Sequence, residues 1–331
     1  RSDPLASTDA SDGGARPPAV TISRMRTSLP TLPAFVDVLA AAARIAPHAH
    51  VTPVLRSRSL DALAGCELFF KCENLQRAGA FKFRGACNAV FALDAADAAR
   101  GAVTQSSGNH GAALALACRL RGIALTVVVP EGAPAVKLAA IAAAGANIVR
   151  CAPTMAARNA ATAALQAETG AVLIHPFDDA HVIAGQGTAA LELLRERDDL
   201  DAVVTPVGGG GLLSGSALTA RALRPGMAVW GAEPTGAADA HASLQAGHCI
   251  LDRVADTVCD GLRGQLAPRT LALLQRHADG IVLVDDAQTV AAMRLLWERL
   301  KLVVEPSGAI GLAAVFADPA RFAGKRVGIV L

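Results

Sequence analysis

The sequence predicts an α/β fold with two lobes, each a mostly parallel twisted sheet covered by helices. From about residue 101 onward, short segments rich in β-branched residues alternate with alanine-rich amphipathic segments, which is the pattern of repeated strand and helix units. Such alternation favours parallel sheets with helices on their faces. A chain of 331 residues with 52% hydrophobic content and this many strands fits two lobes with a cleft between them better than a single sheet.

Each predicted strand is a short apolar run that ends at turn-forming residues. The eight runs are "AVTQ", "LTVVVP", "NIVRC", "AVLIHP", "AVVTPV", "AVWGAEP", "IVLVD" and "RVGIVL". The predicted helices between them include residues 134–144, 154–169, 182–195 and 287–301. We also expect an irregular connection over residues 178–187, which would separate the two lobes.

The predicted domain boundaries follow from composition and from the positions of the strands. Residues 1–30 are rich in Ser, Asp, Gly and Pro without periodicity, so we expect a disordered N-terminal tail. Residues 31–99 together with 180–331 are predicted to form a large domain, and residues 100–179 a small mobile domain. In open α/β sheets, ligands bind beyond the carboxyl ends of the strands, so we expect the chemistry at strand-to-helix junctions.

Composition excludes several classes of function. The 31 Lys and Arg residues nearly balance the 29 Asp and Glu residues, and only 3% of residues are aromatic, which argues against nucleic-acid binding. No apolar run reaches transmembrane length, so no membrane association is expected. The seven cysteines form no C-x-x-C pair and indicate free thiols in a reducing compartment, so we expect a cytoplasmic protein.

The strongest junction is "VVTPVGGGGLLSG", in which an apolar strand runs into four glycines and then into a helix that opens near Leu212. Gly208, Gly209, Gly210 and Gly211 allow backbone N–H groups to converge on one anion, and the helix N-terminus adds its dipole. A flexible turn needs only one or two glycines. No Lys-Ser or Lys-Thr follows, which excludes a Walker-type nucleotide loop. We therefore predict a site for a single compact phosphate.

A second glycine signal, "GQGTAA" at residues 185–190, formally matches a dinucleotide-binding pattern. It follows "DDAHVIA" rather than a clear strand, and no acidic residue stands where a ribose would need one. We interpret this match as accidental.

A second chemical junction, "AVTQSSGNHGAALALA", places Ser106, Ser107, Gly108, Asn109 and His110 between a strand and a helix. Hydroxyl, amide and free helix-start N–H groups would bind a carboxylate there. Ser and Asn are also ordinary N-caps, and one of them is expected to cap the helix. Two serines, an asparagine and a histidine together exceed what capping needs.

The third junction is "WGAEPTGAADAH", where Glu233 and Asp239 flank a turn after a strand. Two carboxylates with backbone carbonyls between them suit a hard divalent cation such as Mg²⁺ or Ca²⁺. The alternative is that Asp239 only caps the next helix.

A single lysine lies between two phenylalanines in "AGAFKFRGAC". If Phe81 and Phe83 strip Lys82 of water, its pKa falls and the neutral amine becomes a nucleophile. Alternatively, the lysine stem covers apolar surface while its ammonium group reaches solvent. This segment alone leaves both interpretations open.

Taken together, the motifs resemble those of a known family. The segments "NLQRAGAFKFRGACNAV", "SSGNHGAALA", "HPFDDAHVIAGQGT", "PVGGGGLLSG", "AEPTGAADA" and "WERLKLVVEPSGAIGLAAV" occur in the order found in serine racemases and catabolic serine/threonine dehydratases. These are pyridoxal-phosphate enzymes of fold type II, the tryptophan synthase β-like type, in which the cofactor lies in the cleft and the large domain binds it. The resemblance extends from about residue 31 to residue 331.

The resemblance implies roles for the residues around the cofactor. Lys82 resembles the lysine that binds pyridoxal 5'-phosphate covalently, with Phe81 beside it. Asn109 resembles the group that bonds the ring oxygen. The residues that resemble the phosphate loop are Gly208, Gly209, Gly210, Gly211 and Leu212.

The resemblance also implies a substrate pocket and a metal site. The residues that match the substrate pocket are Ser106, Ser107, His110 and Arg158. The residues that match the divalent-cation site of serine racemases are Glu233, the carbonyl of Ala237, and Asp239. A bound Mg²⁺ or Ca²⁺ is therefore expected.

By the same resemblance, the protein is expected to be a homodimeric enzyme that converts L-serine or L-threonine to a 2-oxo acid and ammonia. The alternative is a serine or aspartate racemase with a side dehydratase activity, because Ser107 matches the serine that returns a proton on the opposite face in racemases. A β-replacement synthase and a cofactor-free binding protein fit the motifs less well. Intact Lys82 argues against the last of these.

Overall fold

Two sheets covered by helices form the framework of the protein. The structure is a computed structural model that describes residues 31–331, which form one compact unit. The predicted disordered tail, residues 1–30, lies outside the described residues.

The described residues contain ten strands: β1 (Val54–Leu55), β2 (Glu67–Lys71), β3 (Ala102–Thr104), β4 (Leu125–Pro130), β5 (Asn147–Cys151), β6 (Val172–Leu173), β7 (Ala202–Pro206), β8 (Ala228–Pro234), β9 (Gly280–Val284) and β10 (Arg326–Val330). The larger sheet has the order β1-β2-β10-β7-β8-β9, and the smaller sheet has the order β5-β4-β3-β6. Among the strands of residues 31–331, only β1 runs antiparallel to its neighbour. The predicted fold class, with mostly parallel sheets covered by helices, is confirmed.

The α-helices of the described residues are α1 (Phe35–Ile45), α2 (Arg58–Ala64), α3 (Lys82–Ala92), α4 (Ala95–Arg100), α5 (Asn109–Arg121), α6 (Ala135–Ala143), α7 (Met155–Thr169), α8 (Ala180–Glu196), α9 (Gly211–Leu223), α10 (Asp239–Ala246), α11 (Pro268–His277), α12 (Asp286–Leu300), α13 (Pro306–Ala317) and α14 (Pro319–Phe322). Separate apolar clusters lie on the two faces of the larger sheet, and a third lies around the smaller sheet. None of these helices is long and apolar enough to cross a membrane.

Two strands were missing from the sequence prediction. All eight predicted strands are present, but β1 and β2 were not predicted. Four of the five residues of β2 are buried, and Phe69 and Phe70 point into different apolar clusters. A short strand that is buried on both faces has no alternation of polar and apolar residues, so its sequence lacks the usual strand signal.

The prediction of an irregular connection over residues 178–187 was wrong from Ala180 onward. Helix α8 begins there, and the carboxylate of Asp179 accepts a hydrogen bond from the N–H of Val182 at 2.9 Å. An aspartate that caps the first turn in this way stabilises the helix start.

Gly185 allows α8 to approach α3 closely, and Gly187 allows it to approach α9. A Cβ atom at Gly185 would lie 2.6 Å from the Cα of Gly85, so no side chain fits between the two helices. The amide of Gln186 reinforces the crossing because its Oε1 accepts a hydrogen bond from the N–H of Gly85 at 3.1 Å. The "GQGTAA" segment therefore serves helix packing, and its match to a dinucleotide motif is accidental, as predicted.

Four charged side chains, three of them buried, stabilise the position of α3. The guanidinium of Arg84 is fully buried and donates hydrogen bonds to Glu73 and Glu192 at 2.7–2.8 Å. Glu192 also accepts a hydrogen bond from the buried Lys71 at 2.6 Å. Two positive charges thus meet two negative charges, and this charge network fixes α3 against β2 and α8.

Candidate active site

The predicted site residues gather around one segment that follows β6. Residues 174–178, called here the 174–178 segment, contact the start of α3, the start of α5 and the glycines after β7. The site therefore lies where the carboxyl ends of β3, β6 and β7 face the N-terminus of α3. This arrangement agrees with the placement of ligand sites in open α/β sheets.

Lys82 is the first residue of α3, and its side chain is half-buried. Its Nζ donates a hydrogen bond to the carbonyl of Pro176 at 3.1 Å and lies 5.2 Å from the centre of the Phe81 ring. Burial lowers the pKa of Lys82 from 10.5 to about 8. A large fraction of the amine is therefore neutral near pH 8. This favours the interpretation of Lys82 as a nucleophile over the interpretation in which its ammonium group reaches solvent.

The lowered pKa predicts how Lys82 reacts with an acylating reagent. Because only the neutral amine is acylated, the rate at Lys82 is expected to reach half its maximum near pH 8, against about 10.5 for an ordinary lysine. Peptide mass spectrometry after brief labelling across a pH series measures this rate, with free Nα-acetyl-lysine as the reference. An identical pH profile for Lys82 and the reference would contradict the structure.

The four glycines after β7 present free hydrogen-bond donors. Within residues 31–331, the N–H groups of Gly208, Gly209 and Gly210 find no acceptor, although Gly208 and Gly210 are buried. Buried N–H groups are rarely left unpaired in proteins, so their arrangement indicates a site for an anion. Helix α9 starts at Gly211, and the next residue, Leu212, is buried beside it.

The same glycines are required by close packing. A Cβ atom at Gly209 would lie 2.3 Å from the Phe177 ring, and one at Gly208 would lie 2.9 Å from the Cα of Leu262. Gly210 has φ of 84°, which residues with a Cβ rarely adopt. The loop therefore holds its N–H groups in place by contact with the 174–178 segment.

The junction after β3 forms a tight turn into α5. A Cβ atom at Gly111 would collide with the carbonyl oxygen of Ser106, so only glycine fits there. The hydroxyl of Ser106 accepts a weak hydrogen bond from the N–H of Gly108 at 3.4 Å. The hydroxyl of Ser107, which is half-buried, makes no hydrogen bond with the described residues. Asn109 donates through Nδ2 to Oε1 of Glu305 at 2.9 Å, a partner 196 positions away in the sequence.

His110 is a neutral, buried imidazole. Its Nε2 lies 3.2 Å from the carbonyl of Ile174, which can only accept, so Nε2 carries the hydrogen. Burial, together with the charge of Lys82, lowers the pKa of His110 to about 3. The other nitrogen, Nδ1, is buried without a partner and is a free acceptor at the site.

Arg158 makes no direct polar contact with the other predicted substrate residues among residues 31–331. It belongs to α7, and no hydrogen bond or ion pair in residues 31–331 joins its side chain to Ser106, Ser107 or His110. Its Nε is buried without a partner. The structure therefore leaves this guanidinium available for a ligand.

Glu233 and Asp239 are buried near each other. The two oxygens of Glu233 accept hydrogen bonds from the N–H groups of Ala240 and His241 at 2.7 and 2.8 Å, so this carboxylate caps α10. Burial raises the pKa of Glu233 to about 8 and that of Asp239 to about 6. Within residues 31–331, no cluster of three or more His, Cys, Asp and Glu side chains is placed to hold a metal.

Sequence reasoning assigned no role to three residues of the site. His175 and Phe177 belong to the 174–178 segment, and Glu305 precedes α13 and holds Asn109. The segment follows β6, so the rule that ligands lie beyond strand ends could have identified it. Glu305 carries no such local signal.

Comparison with known proteins gives one family. The family model described as "Pyridoxal-phosphate dependent enzyme" matches residues 45–331. The chain is 48% identical over 300 residues to the beta-hydroxyaspartate dehydratase of Paracoccus denitrificans, covering 91% of this chain and 95% of that protein. It is 46% identical over 301 residues to the serine racemase of Dictyostelium discoideum, with coverages of 89% and 92%.

A solved structure has the same fold. The structure of maize serine racemase superimposes with a TM-score of 0.88 at 44% sequence identity, covering 91% of this chain and 93% of that one. Sequence and structure therefore point to the same group of enzymes.

Proposed function

Because the chain belongs to the family of pyridoxal-phosphate dependent enzymes, we propose that it is an ammonia-lyase that converts a β-hydroxy amino acid to a 2-oxo acid and ammonia. L-Serine and L-threonine are the substrates predicted from the sequence. The single observation that carries the proposal is the 174–178 segment. It holds the amine of Lys82 through Pro176 and packs Phe177 against the anion-binding loop at Gly209.

The residues present fit pyridoxal 5'-phosphate. The unpaired N–H groups of Gly208, Gly209 and Gly210 suit its phosphate, and the half-buried Lys82 suits its aldehyde. Asn109 is proposed to bind the ring oxygen, and Phe81 and Leu212 to line the site. When bound, the cofactor supplies an electron sink for the negative charge that forms at the α-carbon of the substrate.

The chain's own residues are proposed to bind the substrate and move protons. Ser106 and Ser107, with Arg158, would bind the α-carboxylate. Lys82, whose pKa of about 8 matches neutral conditions, would take the α-proton as general base. His110 stays neutral and would accept a hydrogen bond at its free Nδ1.

Amino-acid racemisation, of serine first and of aspartate less, is the second candidate. Its support is that Ser107 matches the serine that returns a proton from the opposite face in racemases, and that this half-buried residue lies at the start of the turn into α5. Purified protein loaded with pyridoxal phosphate should be incubated with L-serine and with L-threonine, and 2-oxo acid and D-amino acid measured together. Predominant 2-oxo acid supports the lyase, and predominant D-serine supports the racemase.

A divalent cation, Mg²⁺ or Ca²⁺, is proposed at Glu233, the carbonyl of Ala237, and Asp239. The support is chemical, since burial raises the pKa values of both carboxylates despite the opposing charge of Arg253, and a bound cation would stabilise their ionised forms. MgCl₂ is expected to raise the Tm of the wild type but not that of Asp239→Asn. An equal rise in both would contradict the site.

Substitution of Gly209 tests the phosphate loop. Gly209→Ala places a methyl group against the Phe177 ring, which costs about 1–3 kcal/mol when packing cannot relax. We expect pyridoxal phosphate to bind about tenfold more weakly or worse, as measured by fluorescence titration of the unloaded protein. Gly226→Ala, where a Cβ meets open space, is the matched control. Equal affinities in the two variants would place the phosphate elsewhere.

The domain division stays a proposal. We propose that residues 31–99 and 180–331 hold the cofactor and that residues 100–179 move as a small domain. Contacts that join these parts include the ion pair of Lys137 with Asp260 and the hydrogen bond of Asn109 with Glu305. A homodimeric assembly and a cytoplasmic location likewise remain predictions from the sequence.

A further inference from the structure

Building on the proposed function, we propose that His175 determines specificity: its Nε2–H binds the side-chain carboxylate of 3-hydroxyaspartate, so this dicarboxylic substrate is preferred over serine.

The hydrogen bonds of His175 fix which nitrogen is the donor. Its Nδ1 accepts from the N–H of Asp178 at 2.9 Å and, more weakly, from the N–H of Phe177 at 3.4 Å. A ring nitrogen that accepts carries no hydrogen, so in the neutral imidazole the hydrogen is on Nε2. Within residues 31–331, Nε2 has no partner and is not sealed from solvent. The Nε2–H group of His175 is therefore a hydrogen-bond donor in a fixed orientation, and it is available to a ligand.

The residues on both sides of His175 bind residues of the site. The carbonyl that precedes His175, on Ile174, binds His110, and the carbonyl that follows it, on Pro176, binds Lys82. The ring of His175 packs edge-on against Phe177 with centroids 4.6 Å apart, and Phe177 in turn contacts Gly209. His175 thus belongs to a segment that contacts Lys82, the anion-binding loop and the turn after β3.

The surroundings favour a negatively charged acceptor. Asp178 is engaged by Arg269 at 2.7 Å, and Asp179 caps α8, so both nearby carboxylates already have partners. Burial is the largest influence on the pKa of His175 and lowers it, as does Lys82, while Asp178 and Asp179 act in the opposite direction. The net lowering favours the neutral ring, so a carboxylate that reaches Nε2 would meet an N–H donor.

The α-carboxylate is not the expected partner of His175. That group is proposed to bind at Ser106 and Ser107, beside the N-terminus of α5. The remaining acceptor is therefore on the β-carbon of the substrate. A second carboxylate there forms a charge-assisted hydrogen bond, which is stronger than the bond that the hydroxyl of serine would form.

Two variants of His175 separate its two nitrogens. His175→Asn keeps a side-chain oxygen near the position of Nδ1, so the turn at Phe177 and Asp178 is retained, but it lacks a donor at the position of Nε2. His175→Gln places an N–H near the position of Nε2. We compare kcat/KM for the threo and erythro isomers of 3-hydroxyaspartate with kcat/KM for L-serine, using the enzyme loaded with pyridoxal phosphate.

The ratio of 3-hydroxyaspartate to serine activity is expected to fall about tenfold or more in His175→Asn and to be largely kept in His175→Gln. A wild-type enzyme that prefers serine, or a ratio that is unchanged in His175→Asn, would overturn the proposal. A general loss of activity on both substrates, with the ratio intact, would assign His175 a structural role and would overturn it as well.

Ligand binding gives a readout that does not depend on turnover. Succinate is expected to bind the loaded wild type about tenfold more tightly than propionate in calorimetric titration, and His175→Asn is expected to lose this preference. Equal affinities in the wild type would contradict the inference. If no hydroxy amino acid is converted, the proposed function fails, yet the succinate titration still tests His175.

Discussion

Replacing Lys82 with alanine is expected to lower kcat about 10³-fold or more for any substrate of this enzyme, because the variant loses the amine that moves the α-proton. No other lysine in residues 31–331 donates a hydrogen bond to the 174–178 segment. The remaining amines are therefore not placed to substitute for it. Steady-state release of 2-oxo acid measures the loss.

The same variant has a spectroscopic signature. Wild-type protein that is loaded with pyridoxal phosphate should show an absorption band near the visible edge that borohydride removes, and Lys82→Ala should lack it. Lys325→Ala, in the turn before β10, changes a lysine outside the site and should retain both the band and the activity. A Lys82→Ala protein with more than a tenth of wild-type activity would refute the assignment.

Replacing Arg84 with alanine is expected to cause the largest loss of stability. The variant leaves Glu73 fully buried without its guanidinium partner and deprives Glu192 of two hydrogen bonds. Breaking a buried ion pair by removing one partner costs about 3–5 kcal/mol. Urea unfolding followed by circular dichroism measures the free energy of unfolding.

A surface network supplies the matched control for Arg84. Arg326 pairs with Asp199 at 2.9 Å near solvent, and Arg326→Ala is expected to cost at most about 1 kcal/mol. Equal losses in the two variants would contradict the importance of burial.

The stabilisation from the charge network depends on pH. Burial alone would raise the pKa of Glu192, but the hydrogen bonds and charges of Arg84 and Lys71 lower it below its ordinary value. A carboxylate with a lowered folded-state pKa stabilises the fold above its unfolded-state pKa, and this contribution is lost as the pH falls through the folded-state value. The difference between wild type and Arg84→Ala should therefore shrink in acid.

The parts of the structure with strong local signals could be predicted from the sequence. Eight strands were found because each is an apolar run that stops at turn formers, and the glycines at 208–211 were noticed because four in succession are costly without a function. The motif around Lys82 could be recognised, but its burial could not be read from "FKF" alone. Only the contact with Pro176 and the lowered pKa decide between the two interpretations of this lysine.

The missed parts depend on contacts between residues that are distant in the sequence. Arg84 looks like an ordinary helix arginine until Glu73 and Glu192 are brought to it by β2 and α8. His175 shows its tautomer only through the backbone N–H groups of its own turn. Asn109 was expected to face a cofactor, and its partner Glu305 lies 196 positions away.

The contact between α3 and α8, which is made by glycines, has a consequence for engineering of this protein. The backbones of the two helices are in direct contact at Gly85 and Gly185, so no side chain there can adjust their separation. This contact fixes the tilt of α3 and therefore the position from which the Lys82 side chain extends. In a saturation-mutagenesis library, these two positions should tolerate as little variation as Lys82 itself, although neither touches a ligand. Substitutions intended to alter substrate selectivity are better introduced in the 174–178 segment.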